Sequence, residues 1–235
     1  MTVNNLAPND SLASAINAAT FVLKADVISA SWGIGPAPDP AIAQQLEWAV
    51  KDGRKPDLPF FPPLGTPVVF SAGNTRGSVA FPASDSNAIA VSGLDRTGAL
   101  WEDPDPTRGS NFGAEIEIAA FSGSGAACFG EITTTDLSGA EGCNNGPGGN
   151  VNYTTGFSGT SAAAPQVAGA IALLLQSEPG LTVAQVRQRL ASSADKGNTG
   201  FWNNSLRFGA GKLNVGALLG VWPPPGSCAP NQVVC

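Results

Sequence analysis

Short apolar segments alternate with segments of helical periodicity along this chain, and no other feature of the sequence constrains its fold as strongly. Residues 27–31, 66–72 and 88–94 are mostly β-branched or apolar, which is typical of strands that are buried on both faces of a parallel sheet. Residues 115–121 form a fourth candidate strand. Strands that alternate with helices predict an α/β domain built around a mostly parallel sheet.

Apolar residues recur at helical spacing in four further segments: residues 12–23, 42–50, 165–175 and 183–190. Asp39 and Pro40 precede the second of these segments as a typical N-cap and first helical residue. The third segment is almost entirely apolar, so we expect its helix to lie at the centre of the domain.

The length and composition fit one domain without a nucleic-acid or membrane partner. Hydrophobic side chains make up 43% of the 235 residues, which is enough for a sizeable core. The net charge of −6 argues against nucleic acid because it repels phosphate. The chain has no run of about 18 apolar residues that could span a membrane. We assign residues 1–221 to the domain and residues 222–235, which contain three consecutive prolines, to an extended tail.

Four cysteines lie in stretches rich in Gly, Asn or Pro: Cys128, Cys143, Cys228 and Cys235. Because none belongs to a Cys-x-x-Cys pair, disulfides fit the spacing better than a tetrahedral zinc site. Among three possible connectivities we prefer the pairing of neighbours, Cys128 with Cys143 and Cys228 with Cys235. The first pair would staple residues 122–152, whose Gly, Ser, Thr and Asn content predicts a long loop.

Disulfides imply a secreted or extracytoplasmic protein. The alternative is four reduced thiols in a cytosolic enzyme, and residues 1–12 lack the pattern of a signal peptide.

The sequence around Ser161 is typical of a helix start that can hold negative charge. Gly159 permits a sharp entry, Ser161 falls in the first turn, and residues 162–164 are alanines. Pro165 fits a position where first-turn amides have no internal partner. Such amides, together with the helix macrodipole, stabilise developing negative charge, which suits a nucleophile. The alternative is that Ser161 only caps a hydrophobic helix.

The segment FSGTSAAAPQVAG, residues 157–169, resembles the nucleophile signature of the subtilases, a family of serine proteases. The resemblance implies that Ser161 is the nucleophile. The segment PVVFSAGN resembles the family's strand that ends at an oxyanion-hole asparagine, here Asn74. This implies that the Asn74 amide and the Ser161 backbone N–H bind the oxyanion. Taken alone, Gly73-Asn74 is also an ordinary turn dipeptide.

The segment VISASWG resembles the family's strand whose end pairs with extended substrate. The resemblance implies main-chain hydrogen bonds from Ser31, Trp32 and Gly33 to a peptide. It also implies that Ala72 and Gly73 line the facing wall of the primary specificity pocket. Small walls favour a bulky apolar substrate side chain. The alternative is a plain buried strand.

Two weaker similarities extend the match: a candidate cis peptide at Phe81-Pro82, and a closing turn and helix at residues 208–215. The resemblance then covers about residues 12–219, and it implies a subtilisin-like three-layer domain.

The triad of the family is incomplete in this sequence. It runs Asp, His, Ser, and its first two members precede the segment VISASWG. The 26 residues before Val27 contain no matching Asp or His motif, and the chain has no histidine. The resemblance therefore implies that the amino-terminal part of the domain is missing, which would leave residues 27–31 as an exposed apolar edge. Met1 would then be a cloning artefact, a misplaced start or the start of a separate chain.

The sequence is compatible with three functions. The first is a serine endopeptidase that hydrolyses peptide bonds of a polypeptide substrate through an acyl-enzyme on Ser161, with the missing segment supplied in cis or in trans. We expect the isolated chain to be inactive because it has no histidine to act as base. The second is a non-catalytic peptide-binding pseudoprotease module, and the third is a structural or interaction domain. No cofactor or metal ligand is identifiable, and calcium is implied by the resemblance alone.

Overall fold

The computed structural model describes residues 9–56, 60–123, 132–139, 141–197 and 203–221. Its centre is a parallel sheet with the strand order β1-β2-β3-β4. The bounds are Ile28–Ala30 for β1, Val68–Ser71 for β2, Ala88–Leu94 for β3 and Ile116–Phe121 for β4. Every residue of β2 and β3 is buried, as their apolar sequences predict.

Helices lie on both sides of this sheet. Their bounds are Asn9–Asn17 for α1, Pro40–Asp52 for α2, Thr160–Ser177 for α3, Val183–Ser193 for α4, Ser205–Phe208 for α5 and Val215–Leu218 for α6. A turn of π-helix, Ala18–Val22, continues α1. The N-cap predicted at Asp39 is formed. Its carboxylate accepts hydrogen bonds from the N–H groups of Ala41 and Ile42 at 3.0 and 3.1 Å.

Alternate strand residues face two different helical layers, because side chains alternate across a sheet. One core cluster joins Val69 and Ile118 to α3 and α4, and the other joins Val68 and Phe70 to α1 and α2. The molecule therefore has three layers, which confirms the predicted subtilisin-like α/β architecture. The cis peptide predicted at Phe81-Pro82 is also present.

Residues 122–152 differ from the predicted long loop. They include β5, Ile132–Thr135, which pairs in antiparallel fashion with β6, Tyr153–Phe157. A short 3-10 turn, Pro147–Gly149, precedes β6. The threonine-rich β5 has no buried residue, so the pairing with β6, rather than burial, makes it a strand. The apolar pattern that revealed the other strands was therefore absent here.

The segment 27–31 does lie at an edge of the described sheet, where β1 pairs only with β2 and Ser29 is exposed. Among the described residues there is no free cysteine, and Cys143 is disulfide-bonded. Cys128, Cys228, Cys235 and the tail at residues 222–235 lie outside the described residues, so the predicted pairing stays a prediction. No helix in the described part of the chain is both long and apolar enough to cross a bilayer.

Candidate active site

The turn into α3 places Ser161 as the second residue of the helix. Gly159 precedes the helix with φ = 84° and ψ = 173°, a conformation that a side chain strongly disfavours. A Cβ at this position would also lie 3.1 Å from the side-chain nitrogen of Asn74. The glycine predicted to permit a sharp entry therefore also permits the close approach of Asn74 to the helix start.

Thr160 fixes the orientation of the Asn74 carboxamide. The backbone N–H and the hydroxyl of Thr160 both donate to Asn74 Oδ1, at 2.9 and 2.7 Å. Because a backbone N–H can only donate, the atom it contacts must be the carbonyl oxygen, and Nδ2 must point the other way. Nδ2 has no hydrogen-bond acceptor among the described residues, so its N–H groups remain available beside Ser161.

The Ser161 hydroxyl contacts the residue that follows β1, and not a side chain that could act as a base. The hydroxyl lies 3.4 Å from the carbonyl oxygen of Ser31, to which it donates a long hydrogen bond. In return the Ser31 hydroxyl donates to the Ser161 carbonyl at 2.9 Å. That carbonyl needs an outside donor because Pro165, four residues later, has no N–H.

Pro165 therefore does not lie where the sequence predicted it. With α3 beginning at Thr160, it is the sixth residue of the helix, beyond the first turn. In place of its missing N–H, the hydroxyl of Ser31, 130 residues before Ser161 in the sequence, donates to the Ser161 carbonyl. The backbone of Ser161 is thus linked to the residue that follows β1.

The segment after β1 is open to a partner. Ser31 and Gly33 are exposed, whereas Trp32 is half-buried and contacts Phe70 edge-on, with ring centroids 5.2 Å apart. Among the described residues, the backbone N–H and carbonyl groups of Trp32 and Gly33 form no backbone–backbone hydrogen bond in a turn, loop or cap. The next backbone hydrogen bond along the chain is formed by Ile34, whose N–H donates to the Phe81 carbonyl at 2.9 Å.

Ala72 and Gly73, which the resemblance assigns to the wall facing this segment, lie next to a third small residue, Ala80. A Cβ built on either Gly33 or Gly73 would lie 3.4 Å from the methyl group of Ala80. Ala80 therefore lies between the two segments, and its N–H donates to the Ala72 carbonyl at 3.0 Å. Ala80 was not predicted from the sequence, because no pattern in the residues before Phe81 indicates that one of them lies between these segments.

The electrostatics of this region come from dipoles. Neither Thr160–Ser177 nor the neighbouring residues Ser31, Asn74 and Ala80 carry a charged side chain. The N-terminus of α3 supplies partial positive charge at Ser161 through the helix macrodipole. The described residues contain no cluster of His, Cys, Asp or Glu that could hold a metal ion. The arrangement can stabilise an oxyanion, but this chain contains no imidazole to activate the hydroxyl.

A family model decides the affiliation of this chain. The model of the subtilase family matches residues 2–211. The chain belongs to the subtilase family. Its curated relatives include subtilisin DY from Bacillus licheniformis, which is 32% identical over 197 residues covering 82% of this chain and 56% of that protein. A calcium-dependent protease from a Nostoc species is 32% identical over 219 residues, covering 81% of this chain and 31% of that protein.

Solved structures show the same subtilase fold. A protease of Pseudoalteromonas arctica superposes with a TM-score of 0.67 at 23% identity, covering 91% of this chain and 58% of that chain. Fervidolysin from Fervidobacterium pennivorans gives a TM-score of 0.62 at 23% identity, covering 92% of this chain and 29% of that one. This subtilase chain thus spans little more than half of subtilisin DY and less of other relatives.

Proposed function

We propose that this chain is the nucleophile and oxyanion-hole portion of a serine endopeptidase. The observation that carries the proposal is the Asn74 carboxamide, which Thr160 orients beside Ser161 at the start of α3. Ser161 Oγ attacks the scissile carbonyl carbon, and Asn74 Nδ2 and the Ser161 N–H bind the oxyanion of the tetrahedral intermediate. Collapse of this intermediate expels the amine and leaves an acyl-enzyme on Ser161, which water then hydrolyses.

The proton of Ser161 Oγ needs a base that this sequence does not contain. We propose that the family's Asp and His are supplied by polypeptide outside this chain, in cis or in trans. Without them the oxyanion hole and substrate binding leave a rate only about a thousand- to ten-thousandfold over water, the scale known for serine proteases that lack a triad member. The isolated chain is therefore expected to be inactive as a protease.

The substrate is a polypeptide bound in extended form. The exposure of residues Ser31 and Gly33 supports this part of the proposal, since main-chain groups at the end of a strand can pair with a peptide. A bulky apolar substrate side chain is part of the proposal because Ala72 and Gly73, which the resemblance assigns to the pocket wall, are small residues.

A fluorophosphonate probe tests the proposal, because it labels only an activated serine hydroxyl. We expect no labelling of the isolated chain and labelling at Ser161 once a subtilase segment bearing Asp and His is supplied. Ser161→Ala should abolish labelling, whereas Ser177→Ala, at the far end of the same helix, should not. Labelling at another residue in the complemented protein would refute the assignment of Ser161.

The absence of histidine favours a second candidate, a peptide-binding module that does no chemistry. This alternative predicts that the isolated chain binds extended peptides and that Ser161→Ala leaves the affinity unchanged. It also predicts no labelling after complementation, so the same probe separates the two functions.

Secretion and calcium binding belong to the proposal as well. The disulfide-bonded state of Cys143 supports an oxidising, extracytoplasmic compartment. Calcium rests on similarity alone, through relatives named calcium-dependent proteases. The described residues offer no cluster of metal-binding side chains, so we assign no calcium ligand in this chain.

A further inference from the structure

The loop that carries Asn74 is held along its whole length by a second segment, residues 109–112. Asn111 contributes three of these contacts through one atom. Its Oδ1 accepts hydrogen bonds from the N–H of Thr75 at 2.8 Å, the hydroxyl of Thr75 at 2.9 Å and the N–H of Gly77 at 3.1 Å. One side-chain oxygen thus satisfies three donors that follow directly after Asn74.

Main-chain hydrogen bonds complete the attachment. The N–H of Asn111 donates to the Gly73 carbonyl at 2.9 Å, and that of Gly109 donates to the Asn74 carbonyl at 3.2 Å. The N–H of Arg76 donates to the Gly109 carbonyl at 3.1 Å. Every residue from 73 to 77 therefore has a hydrogen bond to residues 109–112.

Asn111 is itself held in place. It is only 2% exposed, and its carbonyl accepts a hydrogen bond from the Ser110 hydroxyl at 3.0 Å. The same hydroxyl accepts from the N–H of Gly93 in β3 at 2.9 Å. A Cβ on Gly73 would lie 2.4 Å from Asn111 Nδ2, so the glycine is needed for this packing. The chain of contacts runs from a buried central strand to the loop of Asn74.

We infer that Asn111 is a positioning residue for the oxyanion hole, an inference that rests on the proposed function. Thr160 fixes the Asn74 carboxamide from one side, and Asn111 fixes the Asn74 backbone from the other. An oxyanion donor stabilises the transition state only when it is held in place before the reaction, and a displacement of about 1 Å can cost about a hundredfold in rate.

The experiment is a double-mutant cycle between Asn111 and Asn74 in the protein complemented with the missing segment. We expect Asn111→Ala to lower kcat by about a hundredfold without changing KM. In an Asn74→Ala background the same substitution should have no further effect on kcat, because its target is gone. Asn111→Asp keeps an accepting oxygen and should restore most of the activity.

A purely structural role predicts a different result. Asn111→Ala would then lower the stability but not kcat at temperatures where the variant is folded, or it would lower kcat equally with and without Asn74. Either result overturns the inference. Asn214→Ala is the control for stability, since it removes a helix cap of α6 and should leave kcat unchanged.

A readout on the isolated chain separates this inference from the proposed function. Amide hydrogen exchange at residues 74–77 should accelerate in Asn111→Ala and return towards the wild-type rate in Asn111→Asp, while β3 keeps its protection. Unchanged exchange at residues 74–77 would overturn the inference even if Ser161 is the nucleophile. If the complemented wild-type protein neither labels nor hydrolyses peptides, the proposed function fails, and the exchange rates alone show whether Asn111 positions the loop.

Discussion

The hydroxyl of Thr160 joins two parts of the candidate oxyanion hole. It donates to Asn74 Oδ1 at 2.7 Å and accepts from the N–H of Gly73 at 3.2 Å. Since Thr160 directly precedes Ser161, this one side chain sets the position of Asn74 relative to Ser161. The sequence motif contains a threonine here, but its role becomes visible only through partners 86 and 87 residues away.

Thr160→Val is expected to destabilise the chain by about 1–3 kcal/mol, because it leaves the N–H of Gly73 without its partner in a part-buried site. Thr160→Ser keeps the hydroxyl and should lose much less. Urea unfolding of the full chain measures both variants. Equal losses for valine and serine would show that the methyl group, and not the hydroxyl, matters at this position.

Gly159→Ala should also destabilise the chain, by about 1–3 kcal/mol, since alanine would have to adopt a positive φ beside Asn74. The matched control is Gly169→Ala in the same helix. A Cβ at Gly169 meets nothing within 4 Å, so this change should stabilise the chain by about 0.5–1 kcal/mol. Thermal unfolding should therefore shift in opposite directions for the two variants, and a shift in the same direction would contradict the explanation.

At the scale of secondary-structure elements, a part-buried ion pair between Glu117 and Arg187 joins β4 to α4. Arg187 Nη1 lies 2.9 Å from Glu117 Oε1, and Arg187 Nη2 donates to the Ala88 carbonyl at 2.8 Å. Burial raises the pKa of the Glu117 carboxyl from its ordinary 4.5 to about 7, and the Arg187 guanidinium opposes this rise. Three elements thus meet at one titratable group.

This pKa predicts a stability that falls as the pH rises. Between pH 4.5 and 7 the folded chain keeps a proton on Glu117 that the unfolded chain has lost, so the free energy of unfolding should decrease across this window by up to about 3 kcal/mol. Glu117→Gln should remove this dependence, whereas Glu115→Gln, an exposed carboxylate before the same strand, should retain it. Urea unfolding at a series of pH values checks the prediction, which a flat or rising wild-type curve would contradict.

For the molecule as a whole, the outer edge of β1 is the surface available to further polypeptide. Ile28 directs its N–H towards β2, where it donates to the Pro67 carbonyl at 2.9 Å. Neighbouring residues of a parallel strand point their backbone groups in opposite directions, so Ser29 directs its N–H and carbonyl outwards. This edge suits strand addition by the segment that we propose to supply Asp and His.

Ser29→Pro tests that arrangement, because proline removes only the outward N–H and is tolerated on an edge strand. We expect the isolated variant to unfold at nearly the wild-type temperature but to lose labelling by the fluorophosphonate probe after complementation. Ile28→Pro, which removes the hydrogen bond to Pro67, should instead destabilise the isolated chain. Full labelling of the Ser29→Pro variant would place the docking surface elsewhere.

Much of this fold follows from local sequence patterns. The runs of buried strand residues in β2 and β3, the cap at Asp39 and the helical spacing of α3 and α4 depend on neighbours within a few positions. The pairing of β5 with β6 could not be predicted in this way, since half-exposed threonines carry no periodic signal. The prediction of Pro165 in the first turn was wrong, because the helix already begins at Thr160, whose N–H donates to the distant Asn74.

By itself, the sequence determined an α/β layer structure, a nucleophile-type helix start at Ser161 and the absence of histidine. The tertiary structure decided which residues contact that serine and the loop that carries Asn74. Ser31, Ala80 and Asn111 reach the site from separate segments, and each acts through a hydrogen bond or packing contact with a distant partner. Contacts of this kind leave no pattern in the sequence, because the sheet and its crossover helices alone bring these segments together.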